Sequence, residues 1–123
     1  MHSFKIIIIE DEEAHFELMK RAIVREFPFA SVYHFGDASS CLDQLDAIRP
    51  DVVIIDYLMP GMNGVEFLEI LNQHQEDIPT IMITGQGDQN VAVRAMKLGA
   101  WDYLVKSDDF FSLLPSTIEK VIR

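Results

Sequence analysis

The segment that most constrains the fold is the apolar run that ends at Asp56. Val52 to Ile55 are all β-branched, and after Asp56 the chain turns through Pro60-Gly61. An uninterrupted run of this kind is typical of a strand buried on both faces in a parallel sheet covered by helices. The pattern therefore places Asp56 at the carboxyl end of a central strand, where open α/β sheets bind ligands. An aspartate there can also simply start a turn, so the rest of the chain must distinguish the two interpretations.

Four further apolar segments have the length of a strand. Together with the run that ends at Asp56 they make five predicted strands, and a helical pattern follows each of them. Such short helical connections predict parallel pairing and right-handed crossovers. With 123 residues, the prediction is one domain over residues 1–123. The predicted fold class is α/β, a single five-stranded parallel sheet of strand order 2-1-3-4-5, doubly wound with five helices. The predicted strands are Phe4 to Ile9, Ser31 to Phe35, Val52 to Asp56, Ile78 to Thr84 and Trp101 to Val105.

Local signals predict where four of the helices begin. Asp37 or Ser39 can cap the second helix, and Asp88 can cap the fourth, since short polar side chains accept hydrogen bonds from free backbone N–H groups. Gly64 is predicted to open the third helix. Pro115 is predicted to lie in the first turn of the fifth helix, where a missing N–H costs nothing.

Composition limits the partners and the compartment. Ten basic residues against 20 acidic ones give a net charge of −10, which argues against direct binding of nucleic acid or an anionic membrane. The single cysteine, Cys41, excludes an internal disulfide and is compatible with a reducing compartment. No apolar stretch approaches membrane-spanning length, and the start of the chain lacks a signal-peptide layout. We expect a cytoplasmic protein.

Polar side chains are predicted to meet at one edge of the sheet, because each follows the carboxyl end of a strand. In strand order 2-1-3-4-5 these ends share the crevice between strands one and three. Two carboxylates about 4 Å apart repel by ~4 kcal/mol at an effective dielectric of about 20, so three together predict a bound cation. Taken singly, each residue could be a helix cap, a strand former or a solvated side chain. The residues are Glu10 and Asp11, Asp56, Thr84 and Lys106.

The ligand set predicts a hard metal ion. Asp11 and Asp56 offer only oxygen and leave room for waters, which favours Mg²⁺ over a fully caged Ca²⁺. No Cys/His cluster supports zinc, because the histidines are scattered and each is expected at the surface or in packing. They are His2, His15, His34 and His74.

Five segments, in order and at family spacing, resemble the receiver domain of two-component response regulators, the CheY-like fold. The resemblance covers essentially the whole chain, and although each segment alone is a modest signal, the five together are highly specific. They are Ile-Ile-Ile-Ile-Glu10-Asp11, Ile-Ile-Asp56-Tyr-Leu-Met-Pro60-Gly-Met-Asn-Gly64, Ile83-Thr84-Gly85, Ala95-Met-Lys-Leu-Gly99-Ala100 and Asp102-Tyr103-Leu-Val-Lys106.

The resemblance implies a phosphorylatable switch rather than an enzyme with an external substrate. Asp56 would accept a phosphoryl group from a phosphohistidine on a histidine kinase or phosphotransfer domain, forming an acyl phosphate. Lys106 and Thr84 would contact the phosphoryl oxygens, which supplies the charge neutralisation that phosphoryl transfer needs.

The resemblance also implies a metal site and an output surface. Asp11 and Asp56 would bind Mg²⁺ together with the backbone carbonyl of Leu58, and Glu10 would assist through water. Tyr103 would change rotamer in response to phosphorylation. The change would then reach the face made by the fourth helix, fifth strand and fifth helix, where a downstream effector or a second copy of the chain would bind.

Two positions depart from the family pattern. Ser107 follows Lys106 where the family usually has a proline, commonly after a cis bond, and we predict a trans Lys106-Ser107 bond because a non-proline cis bond costs ~2.5–4 kcal/mol. Leu58 and Gln86 occupy the positions that flank the approach of hydrolytic water in the family. Leu58 cannot orient a water, and Gln86 is a poor general base, so a long-lived phosphorylated state is predicted.

Other functions fit less well. A haloacid-dehalogenase-type phosphatase would need a second aspartate where this chain has Leu58. A flavodoxin would need a hydroxyl-rich phosphate loop after the first strand, where Glu10 to Glu13 would repel phosphate. A pseudo-receiver, an interaction module on the same fold without phosphorylation, remains the main alternative.

Overall fold

The computed structural model describes residues 4–74 and 76–123, so His2 lies outside the described residues. Within these residues five strands form one sheet, and each strand pairing is parallel. The spatial order is the second, first, third, fourth and fifth strand, which confirms the predicted topology. The strands are β1 Lys5–Ile9, β2 Ser31–Phe35, β3 Val52–Asp56, β4 Thr80–Thr84 and β5 Asp102–Val105.

Five helices in the described part of the chain cover the two faces of this sheet. The first and fifth pack on one face and the other three on the opposite face. Within residues 4–74 and 76–123, none of them has the length and apolar character needed to cross a bilayer. The helices are α1 Glu13–Glu26, α2 Ala38–Ile48, α3 Gly64–Gln73, α4 Gln89–Lys97 and α5 Phe110–Ile122.

The two-sided core explains the continuous apolar strands. In β1, Ile7 and Ile9 pack with α2, α3 and α4, whereas Ile6 and Ile8 pack with α1 and α5, and all four side chains are fully buried. Alternate side chains of a strand point to opposite faces, so a strand covered on both faces has no solvent-facing position. Burying one such side chain stabilises the fold by about 1.5–3 kcal/mol.

The register of the strands sets the edge where the predicted site residues emerge. Ile9 of β1 pairs with Ile55 of β3, so the residues that follow each of them leave the sheet side by side. Thr84 of β4 pairs with Val105 of β5 at the same edge. The carboxyl ends of four neighbouring strands are thereby aligned, as expected for an open parallel sheet.

Capping hydrogen bonds define two of the helix starts. Asp37, rather than Ser39, caps α2, and its carboxylate accepts from the N–H of Ser40 at 2.8 Å. Asn63 caps α3 in a reciprocal capping box with Glu66, and both hydrogen bonds measure 2.9 Å. The sequence carries the signal for this box, a capping residue followed three positions later by Glu.

Pro115 does not lie in the first turn of α5, contrary to the prediction. The helix begins five residues earlier, at Phe110, and Pro115 lies inside it. An internal proline removes one backbone hydrogen bond and disfavours the helix. Packing outweighs that cost, because Phe110 and Leu114, on the first turns, are almost fully buried against the sheet.

Candidate functional site

Asp56 and Lys106 form an ion pair at the carboxyl edge of the sheet. Asp56 ends β3 and is 4% exposed, and its Oδ2 lies 2.5 Å from Nζ of Lys106, the residue after β5. The other oxygen, Oδ1, accepts from the backbone N–H of Leu58 at 3.1 Å. Both carboxylate oxygens are therefore oriented, one by a cation and one by the turn that follows the strand.

The environment of Lys106 keeps its ammonium charged. Burial by itself lowers the pKa of Lys106, but the hydrogen bond and charge of Asp56, together with the charges of Glu10 and Glu12, raise this pKa above its ordinary value. The backbone N–H of Lys106 donates to the carbonyl of Thr84 at 2.8 Å. The lysine is thus anchored to β4 while its side chain crosses over that strand to reach β3.

Thr84 is the clearest sign of a ligand at this edge. The residue is 1% exposed, and its Oγ1 is the one buried side-chain N or O atom without a hydrogen-bond partner in the described part of the chain. Leaving a buried hydroxyl unpaired costs about 1–3 kcal/mol, and such groups are rare unless they serve a ligand or water. An oxygen-rich group bound beside Asp56 would provide the partner.

Each carboxylate oxygen of Glu10 has a polar contact within the protein. Its carboxylate is 1% exposed, with Oε1 located 2.7 Å from Nδ1 of His15 and Oε2 accepting from the N–H of Glu12 at 3.1 Å. The backbone carbonyl of Glu10 also lies 2.8 Å from Nε2 of His34. Sequence reasoning placed both histidines at the surface or in packing and missed these contacts. The one sequence signal concerns His15, which lies in the first helical turn five residues after Glu10, the residue that follows β1.

The predicted cluster of three carboxylates does not form. Asp11 is exposed and makes no hydrogen bond or ion pair with the described residues, one carboxylate oxygen of Glu10 contacts His15, and Asp56 pairs with Lys106. Across residues 4–74 and 76–123, no group of three or more His, Cys, Asp or Glu is arranged to hold a metal ion. The reason is electrostatic: each buried carboxylate has its own polar partner, so repulsion is avoided without a shared cation.

The oxygen donors still fit magnesium. Mg²⁺ keeps several waters and usually takes only one or two carboxylates from a protein, so a cage of three is not required. The carboxylate of Asp56, the exposed carboxylate of Asp11 and the carbonyl of Leu58 offer oxygen only. With Lys106 neutralising one charge, the edge retains the negative charge of Glu10 and Asp11.

Tyr103 and Thr84 line the same cavity. This cavity has a volume of about 730 Å³ and lies between β5 and α4, with Ala92 and Met96 among its lining residues. The side chain of Tyr103 is 41% exposed, so it stands at the mouth of the cavity rather than inside the core.

The loop after β5 adjusts locally to the absence of proline. The described peptide bonds include no cis bond, so Lys106-Ser107 is trans, which confirms the prediction. Ser107 donates its N–H to the carbonyl of Val105 at 2.8 Å and its hydroxyl to Asp109 at 2.9 Å. A proline could make neither bond, so the serine closes the turn by hydrogen bonding.

Comparison with known proteins identifies relatives of this chain. Residues 6–115 match the family described as the response regulator receiver domain. The transcriptional regulatory protein FixJ of Bradyrhizobium diazoefficiens is 42% identical over 91 residues, which are 72% of this chain and 43% of that protein. The cyclic di-GMP phosphodiesterase response regulator RpfG of Xanthomonas campestris is 37% identical over 103 residues, 82% of this chain and 27% of that protein.

A solved structure extends the similarity to the fold. The crystal structure of a response regulator receiver domain protein (CheY-like) from Methanospirillum hungatei has a TM-score of 0.81 and 25% identity, covering 98% of this chain and 94% of that one. By contrast, the chain spans less than half the length of the two curated relatives, 43% and 27%. The activities in their names belong to those whole proteins.

Proposed function

The chain belongs to the family of response regulator receiver domains, and we propose that it is a phosphorylatable switch whose phosphoryl acceptor is Asp56. The observation that carries the proposal is the arrangement of one edge of the sheet. A buried, oriented carboxylate on Asp56 lies against the ammonium of Lys106, and on the neighbouring strand the buried hydroxyl of Thr84 has no partner among the described residues. Residues 1–123 would form the receiver unit.

The proposed reaction is phosphoryl transfer from a phosphohistidine. A carboxylate oxygen of Asp56 attacks the phosphorus, the phosphorus–nitrogen bond breaks, and the imidazole leaves with the electron pair and takes a proton. Lys106 would keep its ammonium on the oxygens that gain charge, and Thr84 would donate its hydroxyl to one of them. Receiver domains generally use Mg²⁺ at this site, and it would supply further positive charge. Asp11, Asp56 and the carbonyl of Leu58 would hold it, with Glu10 assisting through water.

The proposed partners follow from the family. A histidine kinase or a phosphotransfer domain would supply the phosphoryl group. The output would pass through Thr84 and Tyr103 to the α4–β5–α5 face, for an effector or for a second copy of the chain. That face carries exposed apolar side chains, as an interaction surface requires. They are Val93 and Met96 of α4 and Tyr103 of β5.

The proposal is tested by incubation with a small phosphoryl donor such as phosphoramidate, with intact mass as the readout. In Mg²⁺ the protein should gain one phosphoryl group, and hydroxylamine, which cleaves acyl phosphates, should remove it. An excess of chelator should prevent the gain. A protein that gains no phosphoryl group under any of these conditions would be the pseudo-receiver, an interaction module without phosphorylation.

Magnesium is expected to raise the free energy of unfolding, and Asp11→Ala should remove most of the gain. A ligand that binds only the native state stabilises by RT ln(1 + [L]/Kd), about 1 kcal/mol at several times Kd. Asp11 is exposed and unpaired among the described residues, so its removal costs the apo fold little and relieves repulsion. Thermal unfolding with and without Mg²⁺ measures this, with the exposed Asp43→Ala on α2 as the matched control. An unchanged magnesium response in Asp11→Ala would refute its role as a ligand.

Phosphorylation is expected to perturb the α4–β5 surface. If the hydroxyl of Thr84 moves toward the phosphoryl group, it leaves room in the cavity that Tyr103 also lines. Amide NMR spectra with and without beryllofluoride, a phosphoryl mimic, should therefore shift around Tyr103 and Trp101. Shifts confined to α2 would contradict the proposed route.

A further inference from the structure

The contact between His15 and Glu10 has no role in the function proposed above. Nδ1 of His15 lies 2.7 Å from one carboxylate oxygen of Glu10, and the N–H of Glu12 donates to the other at 3.1 Å. Only 1% of the Glu10 side chain is exposed, so these two protein donors dominate its hydrogen bonding. A buried carboxylate without donors is costly, so these two contacts fix its orientation.

The His15 ring is itself fixed by α5. It stacks on Phe110, with ring centroids 5.5 Å apart and planes inclined by 26°, and it lies 5.4 Å from the ring of Phe111. The His15 side chain is 17% exposed. The two phenylalanines open the helix that follows Lys106, so one aromatic cluster joins α1, α5 and the acidic edge. An imidazole packed in this way has little freedom to turn away from Glu10.

From these contacts we propose that His15 is a positioning residue for divalent cation binding. It holds the carboxylate of Glu10 in the orientation from which Glu10 assists Mg²⁺, and this rests on the magnesium-dependent function proposed above. An ionised carboxylate has about four acceptor sites, so one bond from His15 and one from Glu12 leave the other two for metal-bound waters. Groups that orient metal-site carboxylates typically change metal affinity 10–100-fold when they are removed.

The central variant is His15→Phe. It keeps an aromatic ring against Phe110 and Phe111 but removes the nitrogen that contacts Glu10. We expect the Kd for Mg²⁺, measured by isothermal titration calorimetry on the full chain, to rise about tenfold. His15→Leu, which loses the same nitrogen with a smaller side chain, is measured in parallel in case the phenylalanine does not fit.

A rescue variant separates hydrogen bonding from packing. His15→Asn places an amide nitrogen at the same number of bonds from Cα as Nδ1 of histidine. It restores the donor to Glu10 without the aromatic ring, so it should recover most of the magnesium affinity. His74→Phe, at the carboxyl end of α3 and thus at the opposite edge of the sheet, is the matched control and should bind Mg²⁺ as the wild type does.

A double-mutant cycle with Glu10→Gln shows whether His15 acts through Glu10. If it does, His15→Phe changes the Kd about tenfold in the wild-type background and has no further effect in the Glu10→Gln background. A change of equal size in both backgrounds would show a general structural effect and would overturn the proposal. So would a wild-type affinity in both His15→Phe and His15→Leu. If the wild type itself binds no Mg²⁺, it is the proposed function that fails.

Discussion

Asp56→Asn is expected to abolish phosphoryl uptake while leaving the fold intact. The amide cannot act as the nucleophile that forms an acyl phosphate, and no other carboxylate in the described residues contacts Lys106. Asparagine is nearly isosteric, so its side-chain oxygen can still accept from the N–H of Leu58, which lies 3.1 Å from Oδ1 of Asp56. The readout is intact mass after incubation with phosphoramidate and Mg²⁺.

The matched control for this experiment lies just before the same strand. Asp51 immediately precedes β3, about 17 Å from Asp56 at a strand rise of about 3.3 Å per residue, and accepts from the backbone N–H of Lys5. Asp51→Asn should take up the phosphoryl group as the wild type does. Hydroxylamine-sensitive labelling of Asp56→Asn at the wild-type level would show that another residue is the acceptor.

Leu58→Asn is expected to shorten the life of the phosphorylated state by about tenfold, which corresponds to ~1.4 kcal/mol of activation free energy. Hydrolysis needs a water in line with the bond to the phosphorus, and leucine offers no hydrogen bond to orient it. The N–H of Leu58 contacts the carboxylate of Asp56, so the residue lies beside the phosphorylation site, and its side chain is 68% exposed. The substitution should therefore leave the core unchanged.

The decay of phosphorylated protein in Mg²⁺ measures this effect. Leu113→Asn, an exposed leucine on α5, serves as the control and should decay at the wild-type rate. Gln86 is a poor general base, and its amide donates to the carbonyl of Lys106 at 3.4 Å. Wild-type protein that loses its phosphoryl group as fast as Leu58→Asn would contradict a protective role for the leucine.

The topology could be predicted because it depends on burial. Each uninterrupted apolar run becomes a strand covered on both faces, and helical connections between such strands impose parallel pairing. The same reasoning predicts that Thr84 and Lys106 emerge beside Asp56, since every strand of a parallel sheet ends at one edge. The strand order and the alignment of these ends agree with the prediction.

Helix boundaries were less predictable, for two different reasons. The sequence contains the capping-box signal of Asn63 and Glu66, but the prediction gave only the helix start at Gly64 and not the box. The start of α5 at Phe110 has no comparable local signal, because Pro115 indicates a later start. Burial of Phe110 against the sheet decided that boundary, and such long-range packing routinely overrides local propensity.

The sequence by itself determined which segments are buried and which polar residues reach the carboxyl edge of the sheet. Burial could be predicted because hydrophobic stabilisation is non-directional and scales with the apolar area removed from water. Only the tertiary structure decided how the charges at that edge pair: Asp56 with Lys106, and Glu10 with His15. Whether a hydrogen bond or ion pair forms depends on differences of a few tenths of an ångström in the donor–acceptor distance and on rotamers set by neighbouring helices. Sequence spacing specifies neither.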